Sequence, residues 1–307
     1  MLLMCGSAAA HNTAKASSSP VPLLWKACDV DNCVYLLGSF HVLKASDYPL
    51  SKDVDAALAK SSRVVFEISP SELHDKNAAA MALFQAGVRM DGTMLDSDLS
   101  PAVQAKFAAW QGKHESELAK SGLSNAALQR LKPWFAAILM TQLEYQAAGM
   151  LPEYGLDERM TKMASDAGKQ TEGLETVAEQ VRILSGLSIK DQVQMLEESL
   201  DESDSTAGEI ARLHKAWRAG DATTMWKEMG VKLRDEYPDA YRVIDADRNA
   251  RWIPRLASML DTPGEKDVLV VVGSLHLLGP DGLVEGLKAR GYRVERVCSA
   301  CEVKSAR

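Results

Sequence analysis

The sequence predicts a mixed α/β fold, a central sheet with a large helical insertion. Three observations predict it. Two apolar runs of strand length, far apart in the chain, each end in Gly-x-x-His, at Gly38–His41 and Gly273–His276. A strand–helix–strand order opens the chain, which is the grammar of an α/β unit. The middle, from residue 71 to about Leu260, carries helical spacing almost throughout.

Residues 1–22, dominated by Ala, Ser and Pro after a short apolar start, read as a disordered leader or the remnant of a signal peptide. Cys5 gives a faint suggestion of a lipoprotein. Residues 23–301 read as a single domain and 302–307 as a tail. Trp25–Cys28 and Val34–Leu37 flank Asp29–Asn32, a hairpin pattern. Leu50, Val54, Ala57 and Leu58 mark an amphipathic helix. Val64–Ile68 is a buried-strand pattern, expected beside Val34–Leu37. Residues 71–87, 99–120, 124–149 and Glu153–Ala167 follow as helices. Lys169–Leu174 is a short strand ending at Glu175, and Thr176 with Glu179 forms a capping box for the next helix. Asp261–Gly264 breaks the helical run. Asp267–Val272 is continuously apolar, as a buried parallel strand requires. Pro280 is expected at the first position of a helix closed by Gly291, and Tyr292–Val297 is the last strand.

The chain has 307 residues, 46% hydrophobic and 25% charged, enough apolar material for a substantial core. A net charge of -7 excludes a general nucleic-acid binder, which needs a basic face. No apolar run reaches the roughly 18 residues of a membrane span. Of five cysteines, Cys28/Cys33 and Cys298/Cys301 form two close pairs that suit local disulfides in an oxidising compartment. A redox CxxC and a zinc site are the alternatives. The redox role is disfavoured, because such a motif opens a helix and this one follows a strand.

The candidate chemistry starts with His41 and His276. Each follows a strand directly, at the edge where ligands bind in α/β sheets. Gly38 and Gly273 allow close backbone approach. Two imidazoles at one crevice suit a divalent metal such as zinc, manganese or cobalt, or acid–base work near neutral pH. Glu67 ends an apolar strand, where a buried carboxylate needs a partner. Glu175 ends another. His74, His114 and His214 sit in charged helical segments and are expected to be solvated, and His11 lies in the leader. Met140, Met160 and Met163 read as core.

Further pieces sharpen the reading: Trp25-Lys26, Tyr35–Val42, Val65–Glu67, Leu131–Trp134, Tyr154–Asp157, Gly173–Thr176, Arg248-Asn249 with Trp252, Val272–Leu277, Gly282-Leu283 and Gly291-Tyr292. In this order they resemble the TraB/PrgY/GumN family, which includes the Tiki metalloproteases, and most closely its GumN-like bacterial branch. The resemblance implies a fold similar to the erythromycin-esterase/ChaN-like group. It also implies a periplasmic or otherwise exported metal-dependent hydrolase, with a peptide or protein as substrate. His41, Glu67 and His276 match the family's metal-binding positions, and Glu175, Arg248 and Asn249 its other pocket positions. Arg248 is then expected to hold a substrate carboxylate or an oxyanion, and Asn249 to donate to a carbonyl. Without the resemblance, Arg248-Asn249 reads as a surface pair on a helix. Ser39 and Ser274 stand where the family often has Thr, a change that keeps the hydroxyl. The alternative is a non-catalytic periplasmic protein that binds a peptide or signal in the same crevice.

Overall fold

A computed structural model of the protein describes residues 19–301 apart from Asp75 and residues 203–205. Cys5, His11 and the tail 302–307 lie outside the described residues. Six strands form one mixed sheet: β1 (Leu24–Cys28), β2 (Cys33–Ser39), β3 (Arg63–Ile68), β4 (Gln170–Glu175), β5 (Val268–Gly273) and β6 (Arg293–Arg296). Their spatial order is β4-β3-β5-β2-β1-β6. The four strands from β4 to β2 run parallel, and β1 is antiparallel to both β2 and β6.

The expectation that β3 lies beside β2 is corrected, because β5 runs between them. The reason is hydrophobicity: Val268 to Val272 are all fully buried. A strand apolar on both faces belongs at the centre of a parallel sheet with helices on each side. The β1–β2 hairpin turns where expected, with the Asp29 carboxylate accepting from the backbone N–H of Asp31 and Asn32. Cys28 and Cys33 face each other in register and are joined by a disulfide. Cys298 and Cys301 are joined likewise. This second pair does open a helical turn, against expectation. Asp53 holds both the N–H and the hydroxyl of Ser299 at 2.9 and 3.0 Å, a cap borrowed from a distant segment.

Other local expectations shift for similar reasons. Residues 19–22 are not free: Pro20 and Pro22 are buried, Val21 N–H donates to Arg218 O, and Ser51 N–H to Pro20 O. Pro280 lies in a turn, and the helix Leu283–Ala289 starts after Gly282. Gly279 has φ 75° and supports a turn closed by Gly282 N–H on its carbonyl, which takes in Pro280.

The capping box of Thr176 and Glu179 forms as expected at the helix Val177–Ser185. One apolar core surrounds the sheet. A second is built by the helical region from Leu95, Phe107, Trp110, Met140, Leu196 and their neighbours. Met140 and Met160 are buried as expected. His114 and His214 are not solvated. His114 is 5% exposed and sits 3.1 Å from Glu144. His214 Nε2 lies 2.7 Å from the fully buried Asp47, which also takes Arg218.

Candidate active site

Neighbouring parallel strands in register bring the two histidine motifs together. Ser39 at the end of β2 pairs with Gly273 at the end of β5. The loops beyond are stitched by Ser274, whose hydroxyl donates to Ser39 O at 2.8 Å. Gly38 permits this, since a Cβ there would stand 2.8 Å from Ser274 Oγ. Gly273 is the focus. A Cβ on it would meet Glu67 Oε1 at 3.1 Å, with His41 Nε2 and His276 Cδ2 both at 3.6 Å. The structure therefore gathers His41, Glu67 and His276 around one point at the C-terminal edge of the sheet.

Each imidazole is oriented through Nδ1. His41 Nδ1 lies 2.8 Å from Asp157 Oδ2, which also accepts from the Ser39 hydroxyl. Asp157 belongs to the first turn of the helix Leu156–Asp166. Gly155 lets that helix start against the His41 loop, because a Cβ would lie 2.2 Å from His41 O. The charge of Asp157 raises the pKa of His41 to about 9. The ring itself is exposed to the crevice. His276, by contrast, is buried. Its Nδ1 lies 2.8 Å from Asn249 Oδ1, and the Asn249 amide is fixed by donating to Asp245 Oδ2 and Asp281 O. Asp245 Oδ1 is 2.9 Å from the same nitrogen but out of line for a hydrogen bond. Nδ1–H pointing at these acceptors leaves Nε2 as the acceptor facing inward.

Arg248 is the hub. It is buried, not on the surface, and all its guanidinium nitrogens are engaged. Nη1 reaches His276 Nε2 at 2.9 Å and Ile244 O at 3.1 Å. Nη2 contacts Glu67 Oε2, and Glu175 is gripped by Nε at 3.1 Å and Nη2 at 2.6 Å. The indole of Trp252 lies 4.6 Å from the guanidinium carbon. Ile244 belongs to the π-helical segment Arg242–Ala246, whose widened turn changes the backbone bonding there. Burial alone would raise the pKa of Glu67, but His276, Arg248 and His41, with the Gly273 N–H, hold it down at about 2. The two carboxylates in turn raise Arg248 against the effect of its burial.

His41, Glu67, Arg248 and His276 line a cavity of about 580 Å³. Ile138, Met195, Met229, Ile244 and Leu275 give the same cavity apolar lining. That combination, an apolar hollow with a few convergent polar groups, is the usual form of a site for an organic ligand.

The donor set fits a divalent cation in kind: two imidazoles oriented through Nδ1 and one carboxylate. Among the described residues, however, no three His, Cys, Asp or Glu side chains are grouped closely enough to share an ion. Glu67 Oε1 and His276 Nε2 are 3.9 Å apart, and Arg248 takes the inward lone pair of His276. An ion at this point would replace that Arg248 contact. Sequence reasoning missed Asp157, Asp245 and Gln180, whose amide spans Glu67 and Glu175 at 3.5 and 3.3 Å. Signals existed for two of them. Asp157 closes the Tyr154–Asp157 piece, and Asp245 stands one helical turn before Asn249.

Comparison with known proteins gives the family. The TraB/PrgY/gumN family model matches residues 23–296, and the chain belongs to that family. It is similar to the uncharacterized protein YbaP of Escherichia coli K12, at 24% identity over 168 residues, 54% of this chain and 60% of that protein. YbaP of Shigella flexneri matches at the same identity and coverage. The chain thus spans about 60% of the length of these curated relatives. No solved structure matches it.

Proposed function

We propose that this protein is a metal-dependent hydrolase that cleaves peptides in an exported, oxidising setting. The observation that carries the reading is the convergence of His41, Glu67 and His276 on the side of Gly273 where a Cβ is missing. In this reading those three residues hold a divalent ion, manganese, cobalt or zinc. When bound, the ion supplies Lewis acidity and a more acidic water. Asp157 and Asn249 keep the two Nδ1 atoms engaged, so a bound ion takes each Nε2, displacing Arg248 from His276 and a proton from His41. Glu175 handles the proton. Since Arg248 holds both its oxygens, that role requires the guanidinium fork to loosen when substrate enters. Arg248 orders the carboxylates and, once loosened, offers a donor to a developing oxyanion. The apolar lining takes a substrate side chain. The two disulfides and the absence of any membrane-spanning helix among the described residues are compatible with export.

A second reading has its own support. A guanidinium with every donor engaged is a rigid structural hub, as a non-catalytic peptide- or signal-binding protein would have. Peptide cleavage by protein loaded with manganese, cobalt or zinc separates the two. The hydrolase reading expects turnover that Glu175→Gln lowers by about 10²–10⁴-fold, with metal content kept and the protein still folded. Cleavage of no member of a broad peptide library under any metal, with peptide still bound, would leave the binding reading.

A further inference from the structure

Glu175 also lines a second cleft of about 600 Å³. Arg182 and Ile183 reach it from the helix Val177–Ser185. Arg251, Trp252 and Arg255 reach it from the helix Asp247–Asp261. Arg251 and Arg255 are one helical turn apart and share a face. Arg255 is pinned, donating to the backbone carbonyls of Gly173 and Leu174, which orders its charge without cancelling it. Arg182 and Arg251 are exposed. Among the described residues, none of the three makes an ion pair with a carboxylate.

Two carboxylates line the cleft, and both are committed elsewhere. Glu175 is matched by Arg248. Glu179 is held by the capping box, accepting from the Thr176 N–H at 2.8 Å. It still feels the arginines: after the hydrogen bonds from Thr176, Arg182 and Arg251 help to lower its pKa. Three guanidinium groups therefore face one partly shared carboxylate, on a chain whose net charge is -7. Like charges gathered against the overall sign of a protein repel one another, and an incoming anion relieves that repulsion. Trp252, Ile183 and Leu174 give the cleft an apolar floor. The combination suits a carboxylate carried on an aliphatic stem.

We infer that this cleft binds a carboxylate of an acidic peptide segment, anchoring a chain that also enters the cavity lined by Arg248, the partner of Glu175. The inference rests on the peptide reading above. It makes Arg182, Arg251 and Arg255 determinants of specificity, with no part in bond cleavage. The carboxylate has two sources, an acidic side chain or a peptide C-terminus.

Isothermal titration of the full chain tests it with four hexapeptides of one apolar sequence. Two carry a pair of Glu residues and two carry Gln instead, each with a free or an amidated C-terminus. The expected result is binding of the Glu peptides about ten-fold tighter than the Gln peptides, the sum of two or three partly exposed ion pairs. If the free C-terminus alone gives that gain, the terminal carboxylate is the ligand. In the double variant Arg182→Ala/Arg251→Ala the gain should vanish, with the amidated Gln peptide bound as before and the melting temperature unchanged. Equal affinity for all four peptides, or a gain that survives in the double variant, overturns the inference. Its failure is separate from that of the hydrolase reading. Acid-independent cleavage removes the cleft and keeps the hydrolase, whereas charge-dependent binding without any cleavage keeps the cleft and removes the hydrolase.

Discussion

At the scale of single residues, the site depends on small and charged groups that fix the histidines from outside. Gly155 is the sharpest case. A Cβ there would press on the His41 carbonyl at 2.2 Å, and backbone cannot yield as a side chain does. Gly155→Ala should cost about 1–3 kcal/mol in urea unfolding, as overpacking does, and should weaken whatever binds at His41. Asp47 is a second case, fully buried between His214 and Arg218. Asp47→Ala should cost about 3–5 kcal/mol, because it removes a fully buried carboxylate shared by His214, Arg218 and the Lys44 N–H. Burial alone would raise the pKa of Asp47, but the Lys44 N–H, His214 and Arg218 lower it on balance. Its folded pKa is thus below its unfolded one. The stability it contributes is present above the unfolded value and is lost as pH falls toward the folded one. Denaturation midpoints measured from pH 6 down to pH 3 should fall less steeply in Asp47→Ala than in the parent protein. Equal slopes would show that Asp47 is not the linked group. Sequence disclosed His41 and His276 because each follows a strand. It misjudged His114 and His214 because their partners, Glu144 and Asp47, arrive from distant segments that no local window contains.

At the scale of elements, strand identity was legible and strand order was not. All six strands were marked, β4 as a short polar run ahead of a capping box, and the Asp29–Asn32 turn marked the hairpin. Nothing local says that β5, the fifth strand in sequence, inserts between β2 and β3. That follows from its being buried on both faces, a tertiary requirement. The same limit applies to Arg248-Asn249. A helix that carries charges over the sheet edge looks like a surface helix until β3 and β4 bring Glu67 and Glu175 beneath it. The hairpin carries its own test. The Cys28–Cys33 disulfide joins residues 5 apart in sequence, so its loop-closure contribution should stay below the ~3 kcal/mol expected for a 15-residue loop. Cys28→Ser/Cys33→Ser, compared with the parent by urea unfolding under oxidising conditions, should show that modest loss. A loss well beyond it would mean that the hairpin does more than close a short loop.

At the scale of the whole molecule, two apolar cores hold a sheet whose C-terminal edge collects Glu67, Glu175, His41 and His276 around one arginine. Glu67 and Glu175 are both paired with Arg248, which is how two buried carboxylates are tolerated there. A largely apolar cavity is lined by His41, Glu67, Arg248 and His276, and Glu175 lines an arginine-rich cleft. The central claim is that His41, Glu67 and His276 share one divalent ion, displacing Arg248 from His276 Nε2. The most direct measurement is equilibrium titration of metal-stripped protein with cobalt, read from the visible spectrum, on the parent, His41→Ala and His276→Ala. The account predicts one equivalent of cobalt in the parent and loss of that binding in each variant, with His41→Ala melting like the parent and His276→Ala folded but melting lower, since loss of its buried ring leaves Asn249 and Arg248 without that partner. A parent that binds no cobalt, or variants that bind it as the parent does, would contradict it.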